Sequence, residues 1–290
     1  MLKIKIGTRA SPLAVAQTNI IADGIAKFFP DTDISIIKIK TSGDKNLAPF
    51  SSDPSGIKGM FTLELERALM NREIDFAVHS LKDLPANVSK TLPIVAYSKR
   101  ADPRDALVIR DEGLGIRDCV IGSSSLRRRL QLEKIFPGSK IVPVRGNINT
   151  RLKRLEDGEF SGLVLAVAGL ERLGLRDKIS KIFDLDEILP APGQGILACQ
   201  GREGENYFYL DAVNDEISKS CAIAERSFSR ALNAGCNVPV GAYASVNGEE
   251  LTLRGLFIDD KTGKFFKASS SGNIIDAERI GENLAREIFS

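Results

Sequence analysis

The residues in this sequence that are best suited to chemistry are one aspartate, one cysteine and a group of arginines. Asp83 stands beside Lys82 in a short polar run, and Cys236 stands in a segment rich in glycine and proline. The arginines lie where predicted strands give way to predicted helices: Arg9, Arg127, Arg128, Arg129, Arg145 and Arg151. Guanidinium groups bind carboxylates, a thiolate forms covalent bonds and a carboxylate moves protons. These residue types together predict a site that holds a polyanion, tethers a group to sulfur and uses one aspartate for acid–base chemistry.

A serine-rich turn precedes two of these arginines. Residues 122–125 read Gly-Ser-Ser-Ser and lie between a predicted strand and a predicted helix that contains Arg127 and Arg128. Backbone N–H groups at the start of a helix have no partner within the helix, so such turns bind anions. The forked donors of the two arginines suit carboxylate or phosphate. The alternative interpretation is a basic helix face in contact with solvent, without a ligand.

The same arrangement occurs at two other places in the sequence. Arg9 stands two residues before Ser11, and Arg145 precedes a predicted helix whose first turn contains Arg151. A cation near a helix N-terminus is unfavourable because the helix dipole is positive there. A bound anion would relieve that cost, so we interpret these arginines as ligands for an anion.

Asp83 and Cys236 each have a plainer interpretation as well. Asp83 follows a predicted strand at residues 75–78, and open α/β sheets bind ligands beyond the carboxyl ends of their strands. There, among basic groups, it would stay ionised and stabilise a developing cation or pass a proton; the plainer interpretation is a turn residue. Cys236 follows a predicted helix that ends near Leu232, off the apolar stripe that contains Cys221. A loop thiol is open to electrophiles, whereas free cysteines are usually buried.

Composition excludes several classes of function. The chain of 290 residues has 40 basic and 38 acidic residues, so no overall charge attracts nucleic acid. One histidine, and four cysteines without a Cys-x-x-Cys pair, predict neither a metal centre nor a disulfide framework. The N-terminus lacks the apolar core of a signal peptide, and no run of about 18 apolar residues occurs. We therefore expect a cytoplasmic protein without a metal.

The order of the predicted elements indicates an α/β protein with two lobes and a third domain. Alternating strands and helices predict parallel strand pairing with helices on both faces of each sheet. The strand–glycine–hydroxyl–helix pattern of residues 6–11 recurs at residues 121–126, which indicates related lobes. We predict that the chain crosses between the lobes at residues 99–105 and 190–195, and that these two segments are hinges. The predicted domains are a discontinuous first lobe, a second lobe and a small α+β domain that contains Cys236: residues 1–98 with 196–215, 99–195 and 216–290.

Several motifs, taken together, resemble those of the hydroxymethylbilane synthases, a family also called porphobilinogen deaminases. They lie at residues 6–14, 77–85, 102–105, 122–128, 144–152, 165–170, 193–195 and 235–241. The resemblance implies two lobes like those of periplasmic binding proteins, joined by two hinge segments, and a small C-terminal α+β domain. It also implies a transferase of porphyrin and haem biosynthesis. Such an enzyme deaminates four porphobilinogen molecules, joins them head to tail on a covalent dipyrromethane cofactor and releases hydroxymethylbilane.

The resemblance also implies roles for individual residues. Asp83 would be the catalytic carboxylate, and Cys236 would carry the cofactor as a thioether. Further cofactor-binding residues would be Lys82, Ser80, Ser123, Ser124, Ser125, Arg127, Arg128, Arg145 and Gly146. Substrate-binding residues would be Arg9, Ser11, Arg151, Gln194 and Lys58. Lys58 would belong to a mobile loop over the site. The implied protein is a monomer that binds porphobilinogen and neither nucleic acid nor a membrane.

Two other classes of protein remain open on the residues alone. Paired α/β lobes with a hinge also occur in anion receptors that catalyse nothing, although a loop thiol has no use in a receptor. Residues 127–129 and 151–154 are basic enough to contact nucleic acid, but no aromatic residues are interleaved with them. Measuring the release of ammonia from porphobilinogen would distinguish the enzyme from an anion receptor and from a nucleic-acid-binding protein.

Overall fold

The computed structural model describes residues 1–40, 56–110, 119–232, 238–259 and 261–289, with side chains described except at residues 56–61 and 289. The described strands are β1 (Lys3–Arg9), β2 (Asp33–Ile39), β3 (Phe76–Ser80), β4 (Ile94–Tyr97), β5 (Asp105–Ile109), β6 (Val120–Gly122), β7 (Lys140–Val142), β8 (Gly162–Ala166), β9 (Lys181–Ile182), β10 (Leu197–Gln200), β11 (Val240–Asn247), β12 (Glu250–Ile258) and β13 (Phe265–Asn273). The described α-helices are α1 (Pro12–Phe28), α2 (Gly56–Met70), α3 (Leu126–Ile135), α4 (Ile148–Glu156), α5 (Val167–Arg172), α6 (Glu216–Ala231) and α7 (Ala277–Phe289). None of these helices is long and apolar enough to cross a membrane.

The first lobe is a five-stranded sheet in the order β2-β1-β3-β10-β4, covered by helices on both faces. Helix α1 begins as predicted, with the Ser11 hydroxyl accepting a hydrogen bond from the Ala14 N–H at 3.3 Å and Pro12 in the first turn. Its buried Ile21 and Ile25 pack against β1. Helix α2 covers the other face and contributes residues such as Leu65 to a second cluster. The predicted three-layer arrangement is therefore present.

The second lobe repeats the topology of the first. Its sheet has the order β7-β6-β8-β5-β9, so that β6 takes the place of β1, β7 that of β2 and β8 that of β3. Ser125 caps α3 as Ser11 caps α1, with its hydroxyl accepting from the Arg128 N–H at 3.4 Å. The repeated pattern at residues 6–11 and 121–126 thus lies at equivalent positions, and the interpretation as two related lobes is confirmed.

The prediction of parallel pairing is wrong for two strands. β10 runs antiparallel to β3 and β4, and β5 runs antiparallel to β8 and β9. A crossover helix forces the next strand to be parallel, whereas a strand without one is free to enter from the other end. Both β5 and β10 follow directly on a segment that crosses between lobes. Each sheet is therefore mixed.

The two crossing segments lie against each other. The Ala101 N–H donates to the Gly195 carbonyl at 3.1 Å. Gly195 has φ +91°, and a Cβ there would lie 2.4 Å from the Ala101 oxygen, so only glycine fits this approach. The chain leaves the first sheet after β4 and returns to it at β10. The domain boundaries given above stay a prediction.

The C-terminal α+β domain packs helices α6 and α7 on one face of the antiparallel sheet β11-β12-β13. Phe228 of α6 and Leu284 of α7 are completely buried in its core. Cys221 lies in the same core, as its place on the apolar stripe predicted, and burial raises the pKa of its thiol to about 11. This cysteine is therefore a poor nucleophile.

One buried carboxylate on α6 links this domain to both crossing segments. Glu225 accepts hydrogen bonds from the Arg100 guanidinium, the Gly193 N–H and the Ala244 N–H, each at 2.7 Å. Arg100 belongs to the first crossing segment and Gly193 to the second. The third domain is thus fixed to the place where the two lobes meet.

We expect Glu225→Ala to lower the free energy of unfolding by about 3–5 kcal/mol, because it leaves the largely buried Arg100 cation without its partner. Urea denaturation followed by circular dichroism measures this loss. The matched control is Glu278→Ala, which removes an exposed partner of Arg230 and should cost about 1 kcal/mol or less. Equal losses for the two variants would contradict the prediction.

Candidate active site

Asp83 lies at the carboxyl end of β3, where the sequence predicted a ligand site. It ends a single 3-10 turn, Leu81–Asp83, and both the first residue of this turn, Leu81, and the residue after it, Leu84, are buried. These two apolar side chains hold the turn on the lobe, while the Asp83 side chain is exposed. The carboxylate is therefore rigidly placed and still open to a ligand.

Lys82 precedes Asp83 and points towards the second crossing segment. Its ammonium donates to the side-chain oxygen of Gln194 at 3.2 Å. Burial, together with the positive charge of Arg128, lowers the pKa of Lys82 to about 8, and Asp83 and Asp105 oppose this shift. The lysine thus lies in a crowded cationic neighbourhood that includes groups from the second lobe.

Arg127 and Arg128 are buried, with exposed fractions of 5% and 8%. Arg127 donates to the Leu189 carbonyl at 2.6 Å, and both guanidinium groups donate to Asp105, at 2.8 Å and 2.7 Å. The alternative of a solvent-exposed basic helix face is therefore wrong for these two residues. It describes only Arg129, which is exposed and pairs with Glu133.

The predicted site serines all make hydrogen bonds within the protein. The Ser125 hydroxyl caps α3, the Ser123 hydroxyl accepts from the Ser125 N–H at 3.4 Å, and Ser124 bonds both backbone groups of Val144. Ser80 bonds the side chain of Gln17, and Ser11 caps α1. These hydroxyls shape the turns that carry the arginines, and their contact with a cofactor stays a prediction.

The turn before α4 brings another arginine towards Asp83. Gly146 has φ +102°, a conformation that favours glycine, and its carbonyl accepts from the Arg151 side chain at 2.8 Å. Burial lowers the pKa of Arg151 to about 10, and the charge of Arg128 adds to this, while Asp83 opposes it. Arg151 therefore interacts with Asp83 from the opposite lobe. Arg145, next to Gly146, is half-buried.

Arg9 and His79 lie on two neighbouring strands of the first lobe, β1 and β3. Arg9, half-buried, ends β1, and His79 is buried on β3. Burial lowers the pKa of His79 to about 4, with Asp83 opposing, so the imidazole is neutral at pH 7. Ser80 bonds Gln17 instead of this histidine. The described residues thus provide no serine–histidine pair at the site.

Sequence reasoning missed two residues of this neighbourhood. Asp105 is completely buried between the arginines, although its motif at residues 102–105 was noticed. Arg172, at the end of α5, donates to the Gly195 carbonyl at 2.6 Å, and burial lowers the pKa of its guanidinium to about 10. Among the described residues no carboxylate forms an ion pair with Arg172. In the sequence, the position of Arg172 two residues after motif 165–170 could have indicated a role at the site.

Two predicted site residues lie wholly or partly outside the described residues. Cys236 lies outside the described residues, so its role stays a prediction. Lys58 lies in the first turn of α2, so the expected loop at this position is wrong for its backbone; its side chain is not described. Within the described ranges no cluster of three metal-binding side chains occurs.

Comparison with known families assigns the chain. The family model described as "Porphobilinogen deaminase, dipyromethane cofactor binding domain" matches residues 4–209, and the one described as "Porphobilinogen deaminase, C-terminal domain" matches residues 219–290. The chain belongs to the porphobilinogen deaminase family. The first of the two matches spans Asp83 and the buried arginines, and the second spans Cys236.

Relatives in this family are similar over their whole length. The porphobilinogen deaminase of Ruminiclostridium josui is 47% identical over 290 residues, which cover 100% of this chain and 99% of the relative. The porphobilinogen deaminase of Acetivibrio thermocellus is 45% identical, and the match covers 99% of this chain and 98% of that relative. Among solved structures, the methionine binding protein MetQ is 14% identical with a TM-score of 0.46, covering 80% of this chain and 96% of MetQ.

Proposed function

We propose that the protein catalyses the deamination of four porphobilinogen molecules and their head-to-tail joining on a covalent dipyrromethane cofactor, with release of hydroxymethylbilane. It is thus a transferase of tetrapyrrole biosynthesis. The observation that carries the proposal is the exposed Asp83 carboxylate among cationic groups from both lobes: Lys82, Arg127, Arg128 and Arg151. Membership of the porphobilinogen deaminase family supports the substrate and the cofactor.

The donor set of the site fits a dipyrromethane. Each pyrrole of this cofactor has two carboxylate side chains, and arginine binds carboxylates through paired donors. Arg128 has a buried Nε without a hydrogen-bond partner among the described residues, which leaves a donor for such a group. When bound, the cofactor supplies the free pyrrole carbon from which the product chain grows. Cys236 is the proposed point of attachment.

Asp83 is proposed to oppose positive charge on the pyrrole nitrogens. Loss of ammonia and ring joining both leave positive charge near the reacting carbons. A carboxylate held by a rigid turn stabilises that charge without having to reorganise, which is the usual source of electrostatic catalysis. Asp83 is also placed to move the proton that departs when the ring regains aromaticity.

The arginines are proposed to neutralise the growing chain of acids. Every added ring brings two more carboxylates, so repulsion grows with each addition. Arg9, Arg145 and Arg151 lie at strand ends or helix starts, and Arg172 adds a half-buried guanidinium near the second crossing segment. Their charge is permanent across the physiological pH range, which suits this task.

The proposal extends to a monomeric, cytoplasmic enzyme of porphyrin and haem biosynthesis that uses no nucleic acid or membrane. The near balance of 40 basic and 38 acidic residues supports the absence of nucleic-acid binding. So does the engagement of Arg127 and Arg128 with Asp105, because these guanidinium groups face an internal carboxylate and not a phosphate backbone.

The direct test is to mix the purified protein with porphobilinogen and measure release of ammonia and formation of hydroxymethylbilane. We expect four ammonia molecules for each hydroxymethylbilane. An anion receptor would bind porphobilinogen without releasing ammonia, and that result would refute the proposed function.

We expect Arg172→Leu to raise KM for porphobilinogen about ten- to hundredfold, since one charge-assisted hydrogen bond to a carboxylate is lost. Steady-state kinetics with the intact mass checked for the cofactor measures this. Arg176→Leu is the matched control, because that exposed arginine pairs with Glu171 and should be neutral. An unchanged KM in Arg172→Leu would remove this residue from the substrate site.

A further inference from the structure

Asp105 connects the residues that the sequence assigns to cofactor and substrate binding. It is the first residue of β5 and is completely buried. Its Oδ2 accepts from Arg127 at 2.8 Å, and its Oδ1 accepts from Arg128 at 2.7 Å and from the Gln194 amide at 2.8 Å. One carboxylate therefore holds two arginines of the second lobe and a glutamine of the crossing segment.

Gln194 carries this connection to the first lobe. Its Nε2 also donates to the Pro103 carbonyl at 2.6 Å, and its Oε1 accepts from the Lys82 ammonium at 3.2 Å. The orientation of the amide is fixed by its neighbours, because Asp105 and the Pro103 carbonyl only accept whereas an ammonium only donates. Lys82 is thus joined to Asp105 through a single side chain.

The charges explain why such a link matters. Arg127, Arg128 and Lys82 carry three positive charges in a largely buried space, and each disfavours the others. Around Lys82 the opposing negative groups are Asp83 and Asp105, which raise its pKa, while burial, Arg128 and Arg127 lower it. Asp83 is exposed and is the proposed catalytic group, so Asp105 is the internal counter-charge of these cations.

We propose that Asp105 is a positioning residue for the reaction: its carboxylate orients Arg127 and Arg128 and, through Gln194, holds the Lys82 ammonium beside Asp83. This inference rests on the proposed function for its consequence in catalysis. The arrangement of Asp105, Gln194 and Lys82 is independent of the proposed function, because it is present in the chain without substrate.

The test uses Asp105→Asn, which keeps the shape and removes the charge. The titration of the Lys82 ammonium is followed by nuclear magnetic resonance of lysine-labelled protein, and Lys82→Met identifies its signal. We expect the pKa of Lys82 to fall by about 0.5–1 unit in Asp105→Asn, since an attractive charge is gone. The alkaline limb of the turnover profile should move to lower pH by the same amount. Turnover at pH 8 should fall at least about tenfold, as two arginines lose their orientation.

Two further variants separate positioning from stability. Asp102→Asn is the matched control, because its carboxylate lies in the same segment and, among the described residues, forms its ion pair with the part-exposed Arg104. It should leave the Lys82 titration unchanged. Asp105→Glu retains the charge and should keep the Lys82 titration closer to that of the unaltered protein than Asp105→Asn does. A lower melting temperature with an unchanged Lys82 titration and unchanged pH limb would overturn the proposal.

If Asp105→Asn does not fold, Gln194→Met tests the same proposal. Gln194→Met cuts the link to Lys82 and leaves both arginine pairs of Asp105 in place. The pKa of Lys82 should then fall as well, because its ammonium loses an acceptor, and an unchanged titration would overturn the proposal. If the unaltered protein releases no ammonia from porphobilinogen, the proposed function fails while the Lys82 titration still decides the role of Asp105.

Discussion

Asp83→Asn should retain the covalent cofactor and lower turnover by about two to four decades, the range expected when an acid–base group is lost. Asparagine has the shape of aspartate but no charge, so the 3-10 turn should persist while the opposition to a developing cation disappears. The charge of Asp83 also raises the pKa of Lys82 and of Arg151. The variant should therefore have a lower Lys82 pKa than the value of about 8 in the unaltered protein.

The measurement combines the rate of hydroxymethylbilane formation with intact mass spectrometry of the same sample. Mass spectrometry separates a slow enzyme from one that never acquired its cofactor. Asp75→Asn is the matched control, because Asp75 lies just before the other end of the same strand and accepts a hydrogen bond from the Lys5 N–H at 2.7 Å. Near-normal turnover in Asp83→Asn would remove this residue from the mechanism.

Cys236→Ser should carry no dipyrromethane, and its turnover should fall to background. A serine hydroxyl is a far weaker nucleophile than a thiol at neutral pH, because almost none of it is ionised. The denatured protein should have the mass of the bare polypeptide, whereas the unaltered protein should exceed that mass by one dipyrromethane.

Cys119→Ser is the control for the loss of a thiol elsewhere, since Cys119 is half-buried and lies just before β6. It should keep the adduct and the activity. The buried thiols are poor candidates for attachment, because burial raises the pKa of Cys221 to about 11 and that of Cys199 to about 12. An unchanged adduct in Cys236→Ser would refute the proposed attachment.

Much of the fold follows from patterns between near neighbours in the sequence. Ser11 and Ser125 cap helices because a side-chain oxygen reaches the N–H three residues later, and both caps were predictable. The position of Asp83 at the end of a strand followed in the same way from the apolar run before it. The repeated pattern in the two lobes is also local, and it marks equivalent strands of two sheets with one topology.

Strand direction was predictable only where a helix separates the strands. The rule of parallel pairing holds for β1 with β3 and for β6 with β8. It does not hold for β5 and β10, because no crossover helix constrains a strand that arrives from the other lobe. No residue within either strand signals this direction.

The sequence by itself determined the residue types offered to the site: an aspartate beside a lysine, arginines at helix starts and a cysteine predicted to lie in a loop, in motifs that identify the family. Only the tertiary structure decided which of these charges are buried together. Asp105 meets Arg127 across 22 residues of chain and Gln194 across 89, and such pairs leave no periodic trace in the sequence. Burial makes each charge in such a cluster depend on its partners in space, because water no longer screens them.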